Sequence, residues 1–414
     1  MDKTLLRSRL AWLLIGANLL AVVFVAWLTQ PSAPPSETPV FRVQPVAFEA
    51  LPGWTANDPH RALEAFRRSC LVLFNLPASQ GMGWENYAGT ASAWWPICAR
   101  LPGSKLSASE LRAFFEKWFT PLAVDGSAHF TGYYEPELTG SWLRTPRYTV
   151  PVYGRPQDLI TADLGSFRHT LTGEHISGRL EGTKLVPYPD RADINAHGLP
   201  TAPILLYTDD PVSMFFLQIQ GSGRVKLTDG KILRLSFAAR NGRPYTSIGR
   251  VLVEQGALAR KDVSLQSIRA WLAAHGSAAQ SVMEADQSYV FFSLAPLGDP
   301  SLGSAGTEGV ALTPGASVAV DPRLHPFGAP VYVSTSIPDA NPAKSDRGFD
   351  QLLIAQDTGG AIRGPARGDI FLGTGRDAEA VAGRLNAHGQ FFVLVPKAVA
   401  AALGPAKEFP DAPK

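Results

Sequence analysis

Blocks of like charge are missing from this 414-residue chain, and charged residues make up only 18% of it, below the usual quarter. Lys and Arg are scattered, and the aromatics do not interleave with a basic stripe, so the footprint of a nucleic-acid binder is absent. Cysteine is nearly absent: only Cys70 and Cys98 occur. In an oxidising compartment they would close one disulfide worth about 3 kcal/mol; otherwise they are two buried thiols. Asp321, Asp357, Asp369 and His388 carry ligand-type atoms, but no HxH, HExxH or paired Cys/His spacing accompanies them, which disfavours a metal centre. There is no GxSxG elbow, and Gly221-Ser222-Gly223 reads as a backbone turn rather than a nucleophile. Gly373 to Ala378 matches the GxGxxG/A form, but a dinucleotide site wants an acid roughly 20 residues on. Val393 to Lys397 supply none.

Glycine (38) and proline (34) are plentiful, which fits many short strands joined by turns. At the N-terminus, Lys3, Arg7 and Arg9 precede an apolar run from Leu10 to Leu28. That run exceeds the ~7–15 residues of a signal-peptide core and approaches the ~20 that span a bilayer. Trp27 and Leu28 are bulky where a peptidase wants small residues. Residues 1–30 are therefore expected to be a membrane anchor, with a cleaved signal segment as the competing reading. The charge bias places the body on the trans side of the inner membrane. No Cys follows the run to carry a lipid. Residues 31–45 read as a Pro/Ser linker.

Helices are expected from near Asp58, with Ala62, Leu63, Phe66 and Leu71 in helical spacing, and after the capping-box pattern Ser107 to Glu110. Further helices are expected at Ile248 to Gln255, Leu265 to His275, and Asp377 to His388 with Gly389 as its stop. Expected strands include His129 to Glu135, an alternating Phe215 to Gln220, and a hairpin turning at Asp229-Gly230. In the last third, Tyr289 to Phe292, Ser317 to Val320, Pro330 to Ser334, Leu352 to Ala355 and Phe391 to Val395 complete the set.

Chemistry concentrates in carboxylic acids. Asp357 and Asp369 sit in glycine-bracketed, partly apolar segments, and Asp321 follows the strand at Ser317 to Val320. A carboxyl at a strand end in apolar surroundings has a raised pKa and can stay protonated as a donor. Tyr133 and Tyr134 beside Glu135 offer rings for sugar faces. Gln218 and Gln220 offer amides for hydroxyl and acetamido groups, or else form the solvent face of a strand.

These residues carry a resemblance. Phe130-Thr131-Gly132-Tyr133-Tyr134-Glu135-Pro136, Phe216 to Gly223, Tyr245 to Arg250, Ser288 to Phe292, Val310 to Gly315, Val318 to Pro322 and Pro326-Phe327-Gly328 come in order. Asp357-Thr358-Gly359-Gly360-Ala361-Ile362 and Gly368-Asp369-Ile370-Phe371 follow. The series resembles the membrane-bound lytic murein transglycosylase A family over roughly residues 45–400. Its last part resembles the 3D domain, whose three aspartates match Asp321, Asp357 and Asp369.

The resemblance implies a mainly β fold. A double-psi β-barrel would come from residues 46–135 and 250–400. A smaller β-barrel domain, 136–249, would be inserted between them and form the other wall of a glycan groove, with 401–414 as a tail. It implies cleavage of the β-1,4 bond between N-acetylmuramic acid and N-acetylglucosamine in peptidoglycan, leaving 1,6-anhydro ends. No metal and no cofactor is implied. Asp369 matches the catalytic acid and Asp357 its support. Tyr133, Tyr134, Gln218, Gln220 and Asp321 are carried as groove residues. Peptidoglycan glycan strands are the implied partner, with proteins of cell-wall synthesis or division as further candidates and no nucleic acid. The expected location is the periplasm, held at the inner membrane if the N-terminal segment is uncleaved, or released or outer-membrane associated if it is cleaved. The rival readings are a hydrolytic muramidase on the same fold and a peptidoglycan-binding module.

Overall fold

Six strands close on themselves in the C-terminal half. In the computed structural model, which describes residues 41–171 and 174–409, the ring runs Pro330–Ile337, Arg347–Asp357, Ser317–Ala319, Arg367–Thr374, Ala128–Glu135, Asn386–Pro396. The last strand pairs back onto the first. Two parallel pairs (Ser317–Ala319 with Arg347–Asp357, and Arg367–Thr374 with Ala128–Glu135) sit among four antiparallel ones, in keeping with the double-psi barrel that the resemblance implies. A closed ring has no free edge. Alternation sends Phe130, Val331, Val333, Leu353, Phe391 and Val393 inward, where they are buried. Phe119–Val124, Phe41–Pro45 and Lys407–Phe409 extend the sheet outside the ring.

A second sheet has the order Val290–Pro296, Ile232–Arg240, Gly223–Leu227, Glu137–Ser141, Ile204–Thr208, Val150–Tyr153. A bridge between Gly154 and Phe292 ties its two edges, so it curls around Leu138, Val152, Leu206, Val225 and Leu235. Its outer strand, Val290–Pro296, pairs with Ile232–Arg240 and lies well past residue 249, where the inserted part was expected to end. The helices Ile248–Glu254, Leu265–Ala274 and Gly276–Glu284 share a core with Phe215 and Phe216, so they too sit beside this sheet. Three further strands, Ile160–Asp163, His175–Glu181 and Lys184–Pro187, make a separate ribbon.

Glu135 closes the barrel strand that leads into the second sheet. Its buried carboxylate pairs with Arg224 at 3.0 Å and Arg234 at 3.1 Å, and accepts the Ser304 N–H at 2.9 Å. A buried carboxylate with fewer partners would carry several kcal/mol of uncompensated desolvation, as a rough scale, so the pairing pins the junction.

Near the chain start, His60–Leu73 is helical with Ala62, Leu63 and Phe66 inward, while Leu71 faces solvent. Ser107 and Glu110 form the expected capping box for Ala108–Trp118. Cys70 and Cys98 form a disulfide joining the helices His60–Leu73 and Ala91–Cys98.

Two expected elements differ. Phe215 to Gln220 is not a strand but the end of a helix, Pro211–Gln220. Asp210 caps it, accepting the N–H groups of Val212 and Ser213; Pro211 fills the first turn, and Gly221 stops it at φ 81°. Apolar neighbours on several sides bury Met214 to Leu217, which erased the helical period. The second is the helix at Asp377 to His388, which spans Gly375–Ala382 instead; His388 and Gly389 lie in the strand Asn386–Pro396. Gly389 is no helix stop: a Cβ there would sit 2.1 Å from the Ser334 carbonyl oxygen of the neighbouring strand. The apolar run from Leu10 to Leu28 lies outside the described residues. Among the described residues, no helix is long and apolar enough to cross a membrane.

Candidate active site

Strand register places the two aspartates. Ala319, on the short central strand, pairs with Asp357 on one side and Asp369 on the other. Directly paired residues share a face, so both carboxyl groups project on the side where Ala319 lines a groove. Two strand spacings separate them, roughly 10 Å between Cα atoms. Thr131 pairs with Asp369 from the next strand. The series Asp357, Ala319, Asp369, Thr131 thus crosses four adjacent strands, and residues paired directly across it lie far apart in sequence.

The groove holds about 400 Å³. Its barrel side is formed by Thr131, Tyr133, Asp357, the loop Gly359 to Ile362, and Asp369. Its other side comes from Gln218, Gln220, Phe237, Arg240 and Tyr245.

The two carboxyl groups have different surroundings. Asp357 accepts four hydrogen bonds, each 2.9 Å: the Thr307 N–H, the Thr307 hydroxyl and the Thr358 N–H on Oδ1, and the Tyr133 hydroxyl on Oδ2. Three donors crowd Oδ1 and one holds Oδ2, so the carboxylate is fixed in place as an acceptor, with one site left on Oδ2. Burial pushes the Asp357 pKa up, and all four donors pull it back. Asp369 accepts one side-chain bond, from the Thr131 hydroxyl at 2.6 Å. Burial pushes its pKa up, and the nearby Asp357 charge adds to that; Arg367 and Thr131 oppose it. Sharing one field, the pair keeps its proton on the carboxyl with fewer donors, which is Asp369.

Arg367 sets the Thr131 hydroxyl. Its Nη2 donates to Thr131 Oγ1 at 2.6 Å, which leaves the hydroxyl hydrogen to point at Asp369. Tyr133 therefore acts through its hydroxyl on Asp357, while its ring packs 5.2 Å from that of Phe371.

Both glutamines reach the groove, from the end of a helix rather than from a strand. Gln218 is 4% exposed, and its Oε1 accepts from Arg191. Arg191 is itself fixed by the Asp286 and Ser288 carbonyls. The Oε1 of Gln220 accepts the Tyr134 N–H at 3.0 Å. With both amide oxygens engaged and one Gln218 N–H directed at the Val290 carbonyl, the Gln220 NH2 and the second Gln218 N–H remain as donors for a ligand acceptor such as an acetamido carbonyl.

Two expected groove residues are not on it. Tyr134 is buried against Ala378 and Ala382, because it alternates with Tyr133 along one strand and points to the opposite face. Asp321 is fully buried; Arg323 donates to both its oxygens and Gly364 donates its N–H. Burial raises its pKa, but Arg323 and the Gly364 N–H outweigh that and hold it below the usual carboxylate range. It anchors the loop that leads from Asp357 into the groove. Thr131, Thr307, Arg367 and Arg240 went unnoticed in the sequence. Thr131 lay inside a quoted motif, but its role depends on strand pairing alone.

The barrel and the groove align with known proteins. Residues 129–293 match the MltA specific insert domain, and residues 316–395 match the 3D domain. A membrane-bound lytic murein transglycosylase from Agrobacterium tumefaciens has a crystal structure 31% identical to this chain. The match covers 87% of this chain and 99% of that one, with a TM-score of 0.77. The chain belongs to the membrane-bound lytic murein transglycosylase A family. The Escherichia coli K12 relative of that name is 32% identical over 274 residues, which is 65% of this chain and 66% of the relative, just short of two thirds of its length. An E. coli MltA crystal structure with bound chitohexaose is 25% identical, with 89% of this chain and 99% of that chain covered and a TM-score of 0.62. Within the family frame, the 3D match contains Asp321, Asp357 and Asp369, and the insert match contains Tyr133, Gln218 and Gln220.

Proposed function

We propose that this chain is a lytic transglycosylase. It cleaves the β-1,4 bond between N-acetylmuramic acid and N-acetylglucosamine in peptidoglycan and leaves 1,6-anhydro ends. Protonated Asp369 gives its proton to the bridging O4 as the C1–O4 bond breaks and positive charge grows at C1. The Asp357 anion stabilises that charge across the groove. The Asp369 carboxylate then takes the proton of the sugar's own C6 hydroxyl, O6 bonds to C1, and the acid is restored with no water consumed. The internal hydroxyl outcompetes water because its effective concentration is high. The Gln218 and Gln220 NH2 groups and Arg240 are assigned to substrate acceptors.

The observation that supports this reading is the unequal surroundings of the two buried carboxyl groups, with four donors to Asp357 and one side-chain donor to Asp369. The four donors suit Asp357 to remain a fixed anion, and the single donor on buried Asp369 suits it to carry the one proton that a mechanism without water needs. The relatives named as murein transglycosylases and the chitohexaose bound by E. coli MltA support the same substrate class. The reading includes a barrel domain with an inserted domain carried on to Pro296, and a membrane tether through residues 1–30 with the body facing the periplasm.

The test is mass spectrometry of soluble products from purified peptidoglycan, with the wild type and Asp369→Asn in parallel. Anhydro-muropeptides from the wild type alone are expected. Reducing-end products would mean hydrolysis instead, and binding without any product would mean a wall-binding module.

A further inference from the structure

A second cavity, of about 450 Å³, reaches Thr307, which bonds to the groove residue Asp357. Thr307 links the two through Asp357, which lines the groove. It lines this cavity, and its N–H and hydroxyl both hold Asp357. The remaining walls are largely apolar: Leu73 and Leu76 at the end of the first described α-helix, Pro326, Phe327, and the Trp84 ring.

Two polar atoms in this lining are buried without a hydrogen-bond partner among the described residues. One is a donor, Trp84 Nε1; the other is a carboxyl oxygen, Glu308 Oε1. Buried polar groups are normally satisfied. A donor and an acid together in an otherwise apolar cleft mark a place where a ligand supplies the partners. The turn that delivers Trp84 is strained, with Glu85 at φ 50° and Asn86 at φ 56°. The other oxygen of Glu308 accepts from Ser69 at 2.7 Å, which fixes the carboxyl in place. Burial raises its pKa to about 7, against the pull of Ser69 and Gln356, so it can accept from an N–H or donate to a C=O.

The ligand chemistry follows from these demands. A peptide of small side chains presents alkyl groups, amide N–H groups and carbonyls in alternation, which this lining satisfies. The muramyl lactyl group carries such a peptide beside the bond to be cut.

We propose that the cavity bounded by Trp84, Glu308 and Phe327 binds the peptide stem of the muramyl residue at the cleavage site. This rests on the transglycosylase reading and adds a specificity site to it. A stem bound beside Thr307, whose N–H and hydroxyl hold Asp357, would keep the muramyl ring near that carboxylate, so stem-bearing strands would be cut faster than bare ones.

The experiment compares kcat/KM on soluble, uncross-linked glycan strands with stems intact or removed by an amidase. It uses the full chain and the variants Trp84→Phe and Glu308→Gln. Trp84→Phe keeps the ring and removes the N–H. The wild type is expected to prefer stem-bearing strands. Each variant should lower that preference on the order of fivefold, the worth of one hydrogen bond, while cutting bare strands as the wild type does. Equal wild-type rates on both substrates, an unchanged preference in both variants, or an equal loss on both substrates would each overturn the stem site. Absence of anhydro products from either substrate would overturn the transglycosylase reading instead.

Discussion

Replacing Thr131 by Val removes one hydroxyl and little volume. In the structure that hydroxyl is the side-chain donor to Asp369, at 2.6 Å, and is itself oriented by Arg367. A hydrogen bond to a charged group contributes about 1.5–3 kcal/mol. At about 1.36 kcal/mol per pKa unit, losing it raises the Asp369 pKa by roughly one to two units. The acid must be protonated for the first step, so activity falls as pH rises through that pKa. The basic limb of kcat/KM in Thr131→Val is therefore expected to move up by about one unit or more. Rates on the plateau should fall less, since the proton donor remains. Thr131→Ser keeps the hydroxyl and should keep the wild-type profile. The assay is initial-rate release of anhydro products from soluble glycan strands between pH 4 and 9, about the span over which such a carboxyl titrates. A limb that stays in place in Thr131→Val, or that moves equally in Thr131→Ser, would refute the assignment of Asp369 as the acid set by Thr131.

Two other predictions concern stability. The Asp369 pKa is raised by burial and by Asp357, so its contribution to stability is fully present below the ordinary aspartate value of about 3.9 and is lost as pH rises through the folded value. Asp369→Asn, which cannot ionise, should melt higher than the wild type near pH 8, with the gap closing toward pH 4; a gap independent of pH would contradict this. The bond between Cys70 and Cys98 spans 28 residues. The double variant Cys70→Ala, Cys98→Ala should lose about 3 kcal/mol, read from urea unfolding. No loss would mean that helix packing alone holds that region.

Local signals located much of the fold. The capping box at Ser107 and the Asp229-Gly230 turn depend on residues close in sequence, and both are found as expected. The helix at Pro211–Gln220 had equally local punctuation in Asp210, Pro211 and Gly221. It was masked because burial on several sides hides a 3.6-residue period. His388 and Gly389 were misassigned because a glycine that stops a helix and one that lets two strands approach look alike in one dimension.

Sequence motifs alone single out Asp357 and Asp369 as the candidate acids. Asp357 and Asp369 stand in glycine-bracketed, apolar segments whose motifs mark the family, because carboxyl chemistry needs those residue types wherever they lie. What each acid does was decided by the tertiary structure. Register across four strands brings Thr131 to Asp369 and leaves Asp357 with four donors drawn from Tyr133, Thr307 and Thr358. The same packing turns Tyr134 into the core and ties Asp321 to Arg323. A pKa depends on what surrounds a group in space, and here those neighbours are up to 238 positions away in the chain.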